Sequence, residues 1–212
     1  MVDNENTSLF DIIVQGRKDE SAQKVSKMLD EGKDPLDIIE NEFVGALNFV
    51  GEKFEKGEIF LPQLMQSAQA VKNAFVVISD FYQSRGVKRE QKGKILLATV
   101  KGDIHDIGKN IVKVMLENYG YSVIDLGRDV DYSLVLDAAV KHDADIVGLS
   151  ALMTTTLKSM EKTISLLKEN NVKAKIMVGG AVMTADYAEK IGADYYARDA
   201  KEAVDIAKKI IG

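Results

Sequence analysis

The chain contains no cysteine, which excludes a disulfide framework and thiolate metal ligation together. Histidine is almost as scarce. His105 and His142 are the two present, so few imidazoles are available as ligand or base. No stretch approaches the roughly 20 apolar residues that span a bilayer, and the opening MVDNENTSLF is too polar for a secretory signal. No membrane is therefore expected, and the cytoplasm is the expected location. A net charge of −5 argues against a nucleic-acid surface. Proline occurs twice, at Pro35 and Pro62, and nowhere later in the chain.

What is present is an ordinary globular balance. The 212 residues are 46% hydrophobic and 29% charged, enough for two modest domains with cores of their own. Composition changes near residue 90: the later part lacks proline but holds most of the glycines and β-branched runs. The expected division is residues 1–88 and 93–212, joined through a short charged segment, Arg85 to Lys94, that lacks apolar periodicity.

The first part reads as four helices. Leu9, Ile12 and Ile13 mark a short one stopped by Gly16, and Ala22, Val25, Met28 and Leu29 mark a second stopped by Gly32. Asp34-Pro35 is an N-cap followed by proline at the first helical position. Leu36, Ile39, Phe43, Leu47, Val50 and Phe54 then form one apolar stripe, broken at Gly57. Pro62 opens the last, with Leu64, Met65, Ala68, Val71, Phe75, Ile78 and Tyr82 on one face. The result is a small four-helix bundle.

The second part alternates. Apolar strands at 95–100, 121–126, 145–150, 175–178 and 194–197 are separated by helices at 109–119, 131–142, 155–170, 184–191 and 200–211. Thr184 and Asp199 sit where N-caps belong. Five strands alternating with five helices predict an α/β fold, a flavodoxin-like (Rossmann-type) doubly wound parallel sheet of order 2-1-3-4-5. Ligands of such sheets bind beyond the carboxyl ends of the strands, where the order reverses.

Unusual residues gather at those ends. Lys101-Gly102-Asp103-Ile104-His105-Asp106-Ile107-Gly108 follows the first strand, Ser150-Ala151-Leu152-Met153-Thr154-Thr155-Thr156 the third, and Gly179-Gly180 the fourth. Asp103, two residues from His105, can hold the ring nitrogen that faces away from a metal, and Thr156 is placed to hold Asp103. One histidine is too few for bare zinc, iron or copper, but it suits a metal already held by a macrocycle. Each cluster alone has a plainer reading: a lone Asp-x-His is more often a capping aspartate with a solvated histidine, and Gly-Gly a tight turn. The combination is what points to a site. His142, beside Lys141 and Asp143, reads as a solvated helix-terminal residue.

The spacing Asp103-x-His105-x-x-Gly108, 41 residues, Ser150-x-Leu152, 26 residues, Gly179-Gly180 resembles the cobalamin-binding signature of B12-dependent methyltransferases and mutases. GDIHDIGKNIV and SALMTTT resemble the corrinoid proteins of methanol and methylamine methyltransferase systems, and the B12 region of methionine synthase. The helical stretch Phe54-x-x-Gly57-Glu58-x-Phe60-Leu61-Pro62-Gln63 is similar to the cap of these families.

The resemblance implies a corrinoid cofactor with its cobalt, in the methylcobalamin form during turnover. His105 would be the lower axial ligand, with Asp103 and Thr156 as its relay, Thr156 standing where methionine synthase has a serine. Gly102, Ile104, Asp106 and Gly108 complete the ligand loop. Ser150, Leu152, Thr154, Gly179, Gly180 and Ala200 would contact the displaced nucleotide tail or the cofactor's edge, the two glycines because a Cβ there would strike the tail. Phe54 and Leu61 would cover the cobalt-bound methyl, with Glu40 nearby. Phe54 on periodicity alone is a core residue. The implied activity is methyl carriage, with cobalt alternating between Co(I) and methyl-Co(III). The implied partners are a donor-specific methyltransferase, an acceptor methyltransferase using tetrahydrofolate or a thiol, and a reductive activator. A mutase subunit would lack the helical part, and a B12-dependent sensor would add a DNA-binding element; neither pattern is found in the sequence.

Overall fold

The computed structural model describes residues 7–84 and 92–212. The chain divides into two compact units, Met1–Val87 and Lys88–Gly212. Most of the segment expected to link them, residues 85–91, lies outside the described residues. Its last member, Lys94, instead begins the first strand, where its N–H donates to Asp145 Oδ2 at 2.8 Å.

The first unit is helical: α1 (Leu9–Val14), α2 (Lys18–Asp30), α3 (Pro35–Asp37), a π-helical segment (Ile38–Val44), α4 (Gly45–Glu55) and α5 (Leu61–Ser84). Asp34 caps α3 as its position predicts, accepting from the Leu36 N–H at 3.0 Å. The stripe that follows departs from simple periodicity. A π turn closes hydrogen bonds one residue later than an α turn, so the buried face shifts. Ile38, Ile39, Phe43, Ala46 and Val50 are buried, while Phe54 is 40% exposed rather than in the core.

A second departure occurs in α5. Its buried side is Ser67, Ala70, Val71, Ala74 and Ile78, and Met65 is left 63% exposed. The small residues allow α2 to approach closely enough for the Ser21 hydroxyl to donate to the Ala70 carbonyl at 2.7 Å. Close backbone approach outweighs the larger side chains in setting which face turns inward.

The second unit contains β1 (Lys94–Thr99), α6 (Ile107–Asn118), β2 (Ser122–Asp125), α7 (Tyr132–His142), β3 (Ile146–Ser150), a 3-10 turn (Thr154–Thr156), α8 (Leu157–Glu169), β4 (Lys175–Gly179), α9 (Ala185–Lys190), β5 (Tyr195–Ala197) and α10 (Ala200–Ile211). All pairings are parallel and the order is β2-β1-β3-β4-β5, as the alternation predicts. β1 is buried along its length after Lys94 because helices cover both faces. Thr184 and Asp199 cap α9 and α10, accepting from the N–H groups of Tyr187 and Glu202.

Register places the carboxyl ends side by side: Thr99 opposite Ser150, Ser150 opposite Gly179, and Gly179 opposite Ala197. β1 leads outward through α6 to β2, and the chain returns through α7 to β3. The loops after β1 and β3 therefore diverge and leave a crevice at the sheet's centre. Among the described residues no helix is long and apolar enough to cross a membrane.

Candidate functional site

The loop after β1 turns at Gly102, whose φ of +86° is open to glycine at little cost. The turn directs Asp103 inward and His105 outward. Asp103 is fully buried, which is tolerable for a carboxylate only when its oxygens are well supplied with donors. Oδ1 lies 2.7 Å from His105 Nδ1 and accepts from the His105 backbone N–H at 3.1 Å. Oδ2 accepts from the Leu152 and Met153 N–H groups at 2.7 and 3.2 Å and from the Thr156 hydroxyl at 2.9 Å. Burial by itself pushes this carboxyl upward. The bonds from Leu152, from the His105 ring and backbone, and from Thr156 overcome it and bring the group to about 2.

The consequence for His105 is chemical. A carboxylate at Nδ1 makes that nitrogen the N–H donor and leaves Nε2 with its lone pair. The side chain is 46% exposed, so the imidazole can meet a ligand from solvent. The Thr99 hydroxyl donates to the His105 carbonyl at 3.0 Å and secures the backbone below the ring.

Thr156 is buried at the 3-10 turn, not inside the helix that sequence periodicity starts at 155. Its Oγ1 is 2.9 Å from Asp103 Oδ2 and 2.8 Å from the Met153 carbonyl. A hydroxyl has one proton, so the two acceptors share it.

Other residues of the expected site surround this triad. Ile104 is 62% exposed and Leu152 41% exposed, apolar surface beside the imidazole. Asp106 stands at the start of α6, and Gly108 lies exposed in its first turn. Ser150 and Gly179 end adjacent strands, Thr154 is exposed in the 3-10 turn, and Ala200 is half-buried at the start of α10. Glu40, Phe54 and Leu61 belong to the helical unit and are exposed there.

The glycines differ in what they answer to. A Cβ on Gly108 would meet nothing within 4 Å, so the space above it is open. A Cβ on Gly180 would sit 1.9 Å from the Ala151 carbonyl oxygen, and its φ is +120°. Gly180 is therefore demanded by the chain itself, through the approach of the neighbouring loop, before any ligand is considered. Gly179 has a milder form of the same constraint, 3.0 Å to the Ala197 carbonyl oxygen.

Sequence inspection passed over Met153, Arg128 and Asp129, and it named Leu152 for a cofactor contact rather than for its bond to Asp103. Leu152 and Met153 act through backbone N–H groups, which no side-chain pattern reveals. Arg128 and Asp129 follow β2 and hold the loop after β1, Gly102 N–H donating to Asp129 Oδ1 at 2.8 Å. The rule that flagged the ends of β1, β3 and β4 applies equally to β2 and would have found them.

These residues fit one ligand class. Among the described residues no group of three or more ligating side chains could hold a bare metal ion. A single oriented imidazole beside an open apolar rim instead matches a metal already coordinated by a macrocycle.

Comparison with known proteins decides the family. Residues 93–205 match the model of a B12 binding domain, and residues 6–78 match a second model of the same description. The chain belongs to the B12-binding corrinoid proteins. Among corrinoid-protein relatives, the dimethylamine corrinoid protein of Methanosarcina barkeri is 42% identical over 205 residues, 96% of this chain and 95% of its own. Trimethylamine corrinoid protein 2 of Methanosarcina acetivorans is 37% identical over 203 residues, 95% of this chain and 94% of its own. The solved monomethylamine corrinoid protein of Methanosarcina barkeri superposes with a TM-score of 0.85 at 36% identity, covering 95% and 96% of the two chains. A chain of the methanol:cobalamin methyltransferase complex MtaBC from the same organism gives 0.56 at 33% identity, covering 96% and 78%.

Proposed function

We propose that this chain carries a methyl group on a corrinoid cobalt between two methyltransferases in the cytoplasm. One would load the methyl from a methylated amine or methanol; the other would pass it to tetrahydrofolate or a thiol. A reductive activator would restore cobalt lost to oxidation. When bound, the corrinoid supplies a cobalt centre that accepts a methyl group in its most reduced state and surrenders it to an acceptor. Support for the donor class comes from the methylamine and methanol systems named for the relatives.

The observation that carries the reading is the buried Asp103 carboxylate 2.7 Å from Nδ1 of an exposed imidazole. It would leave Nε2 as the ring atom that holds the corrinoid's cobalt. His105 would hold the metal through Nε2 while Nδ1 stays bonded to Asp103. Asp103, whose carboxyl is held at about 2, orients the ring through Oδ1. Thr156 keeps Oδ2 supplied and so holds the carboxylate in place. Gly102, Ile104, Asp106 and Gly108 shape the ligand loop. Ser150, Leu152, Thr154, Gly179, Gly180 and Ala200 line the strand ends that would take the nucleotide tail. Glu40, Phe54 and Leu61 stay with the helical unit as proposed cofactor contacts.

The test is reconstitution of the full chain with cobalamin, reduced to the Co(II) state and measured by electron paramagnetic resonance. Nitrogen splitting that changes when histidine is isotopically labelled, and vanishes in His105→Ala, is the expected result. Splitting that persists in that variant overturns the ligand assignment. Methyl transfer with candidate donors and a purified methyltransferase then identifies the donor.

A further inference from the structure

We infer that Asp129 is a positioning residue that fixes the backbone of the loop after β1, so that the His105 imidazole is presented to the metal in one position. The inference rests on the ligand reading above and extends it to a residue on a different strand end.

Four consecutive residues of the loop are each bonded to Arg128 or Asp129. Lys101 Nζ lies 3.2 Å from Asp129 Oδ1, and the Gly102 N–H donates to that oxygen at 2.8 Å. The Asp129 N–H donates to the Asp103 carbonyl at 2.9 Å. Arg128 Nη1 donates to the Ile104 carbonyl at 3.2 Å. Asp129 can face the loop with both its carboxylate and its N–H because its φ is +53°, a conformation that aspartate, asparagine and glycine accept more readily than other residues. The segment behind it is anchored in turn, since the Val130 N–H donates to the Thr99 carbonyl at 3.0 Å and the Thr99 N–H to the Gly127 carbonyl at 3.0 Å.

A loop held this way returns the imidazole to one position and loses little conformational freedom each time it binds. Freed from Asp129, the loop would sample more positions, and coordination would have to order it anew. The effect falls on the balance between imidazole-bound and imidazole-free cobalt.

The experiment uses the full chain loaded with Co(II) cobalamin, with that balance read from the nitrogen splitting. Asp129→Gly keeps the backbone conformation accessible and deletes the carboxylate; it should raise the ratio of imidazole-free to imidazole-bound cobalt roughly fivefold, the worth of about one hydrogen bond. Asp129→Asn retains an oxygen for the Gly102 N–H and should return the ratio most of the way to wild type. Thr184→Ala, which removes the α9 cap, controls for a general loss of stability. A ratio in Asp129→Gly no higher than in Thr184→Ala, or no rescue by asparagine, overturns the inference while leaving His105 as ligand. Absence of histidine splitting in the wild-type protein overturns both.

Discussion

Asp103 and His105 stand two residues apart, yet one oxygen of the buried carboxylate reaches both the ring Nδ1 and the backbone N–H of the histidine. The ring is thus held relative to its own main chain, and its tautomer follows. The second carboxylate oxygen belongs to the loop after β3, with donors from Leu152, Met153 and Thr156. Asp103 therefore joins two strand ends as well as orienting the His105 ring. Several measurable consequences come from that double duty.

Thr156→Val should remove the single hydroxyl proton that Asp103 Oδ2 and the Met153 carbonyl share. The expected cost is about 1–2 kcal/mol, measured by urea unfolding. Thr156→Ser keeps the hydroxyl and should cost less, about the worth of one buried methyl. Equal losses in the two variants would remove the hydroxyl from the account.

Acid stability should carry the signature of Asp103. Its carboxyl lies at about 2 in the folded protein against an ordinary 3.8. Its contribution is fully present above the ordinary value and is lost as pH falls from there toward the folded one. Urea midpoints taken at neutral pH and through the window between about 4 and 2 should fall less steeply in Asp103→Asn than in wild type. Parallel slopes would contradict this assignment.

Gly108→Ala and Gly180→Ala should part company. In the first turn of α6 alanine meets open space and should raise stability by about 0.5–1 kcal/mol, so reduced corrinoid uptake there would report the closeness of the macrocycle. Alanine at 180 meets the Ala151 backbone and should destabilise the apo chain by about 2 kcal/mol or more. Thermal melts of both apo variants, set beside cobalamin uptake, separate the two effects.

Lys109 is 4% exposed and lies 2.6 Å from Asp125 Oδ1, fixing α6 against the end of β2. Lys109→Met leaves a partly buried carboxylate with the more distant Lys113 at 3.6 Å. A loss of about 3 kcal/mol is expected. The double variant Lys109→Met, Asp125→Leu should recover most of it, since an apolar pair carries no desolvation penalty. A double variant as weak as the single one would argue against a paired role.

Much of this was readable from residue order. Apolar periodicity separated helices from strands, and proline and capping residues marked where α3, α9 and α10 begin. The rule for parallel sheets then placed His105, Ser150 and Gly179 at one edge. The helical unit was harder: the π segment rotated the stripe and exposed Phe54, and small residues on α5 turned Met65 outward. Both effects depend on which helix lies alongside.

The amino-acid order determined by itself the strand sequence and the cluster at the carboxyl ends that includes His105, because each follows from local periodicity and spacing. Tertiary structure alone decided that backbone N–H groups of Leu152 and Met153 satisfy Asp103, that Asp129 grips the loop after β1, and that Gly180 makes way for Ala151. Those contacts join residues as many as 50 positions apart, and only the folding of separate loops onto one sheet edge brings their atoms within bonding distance.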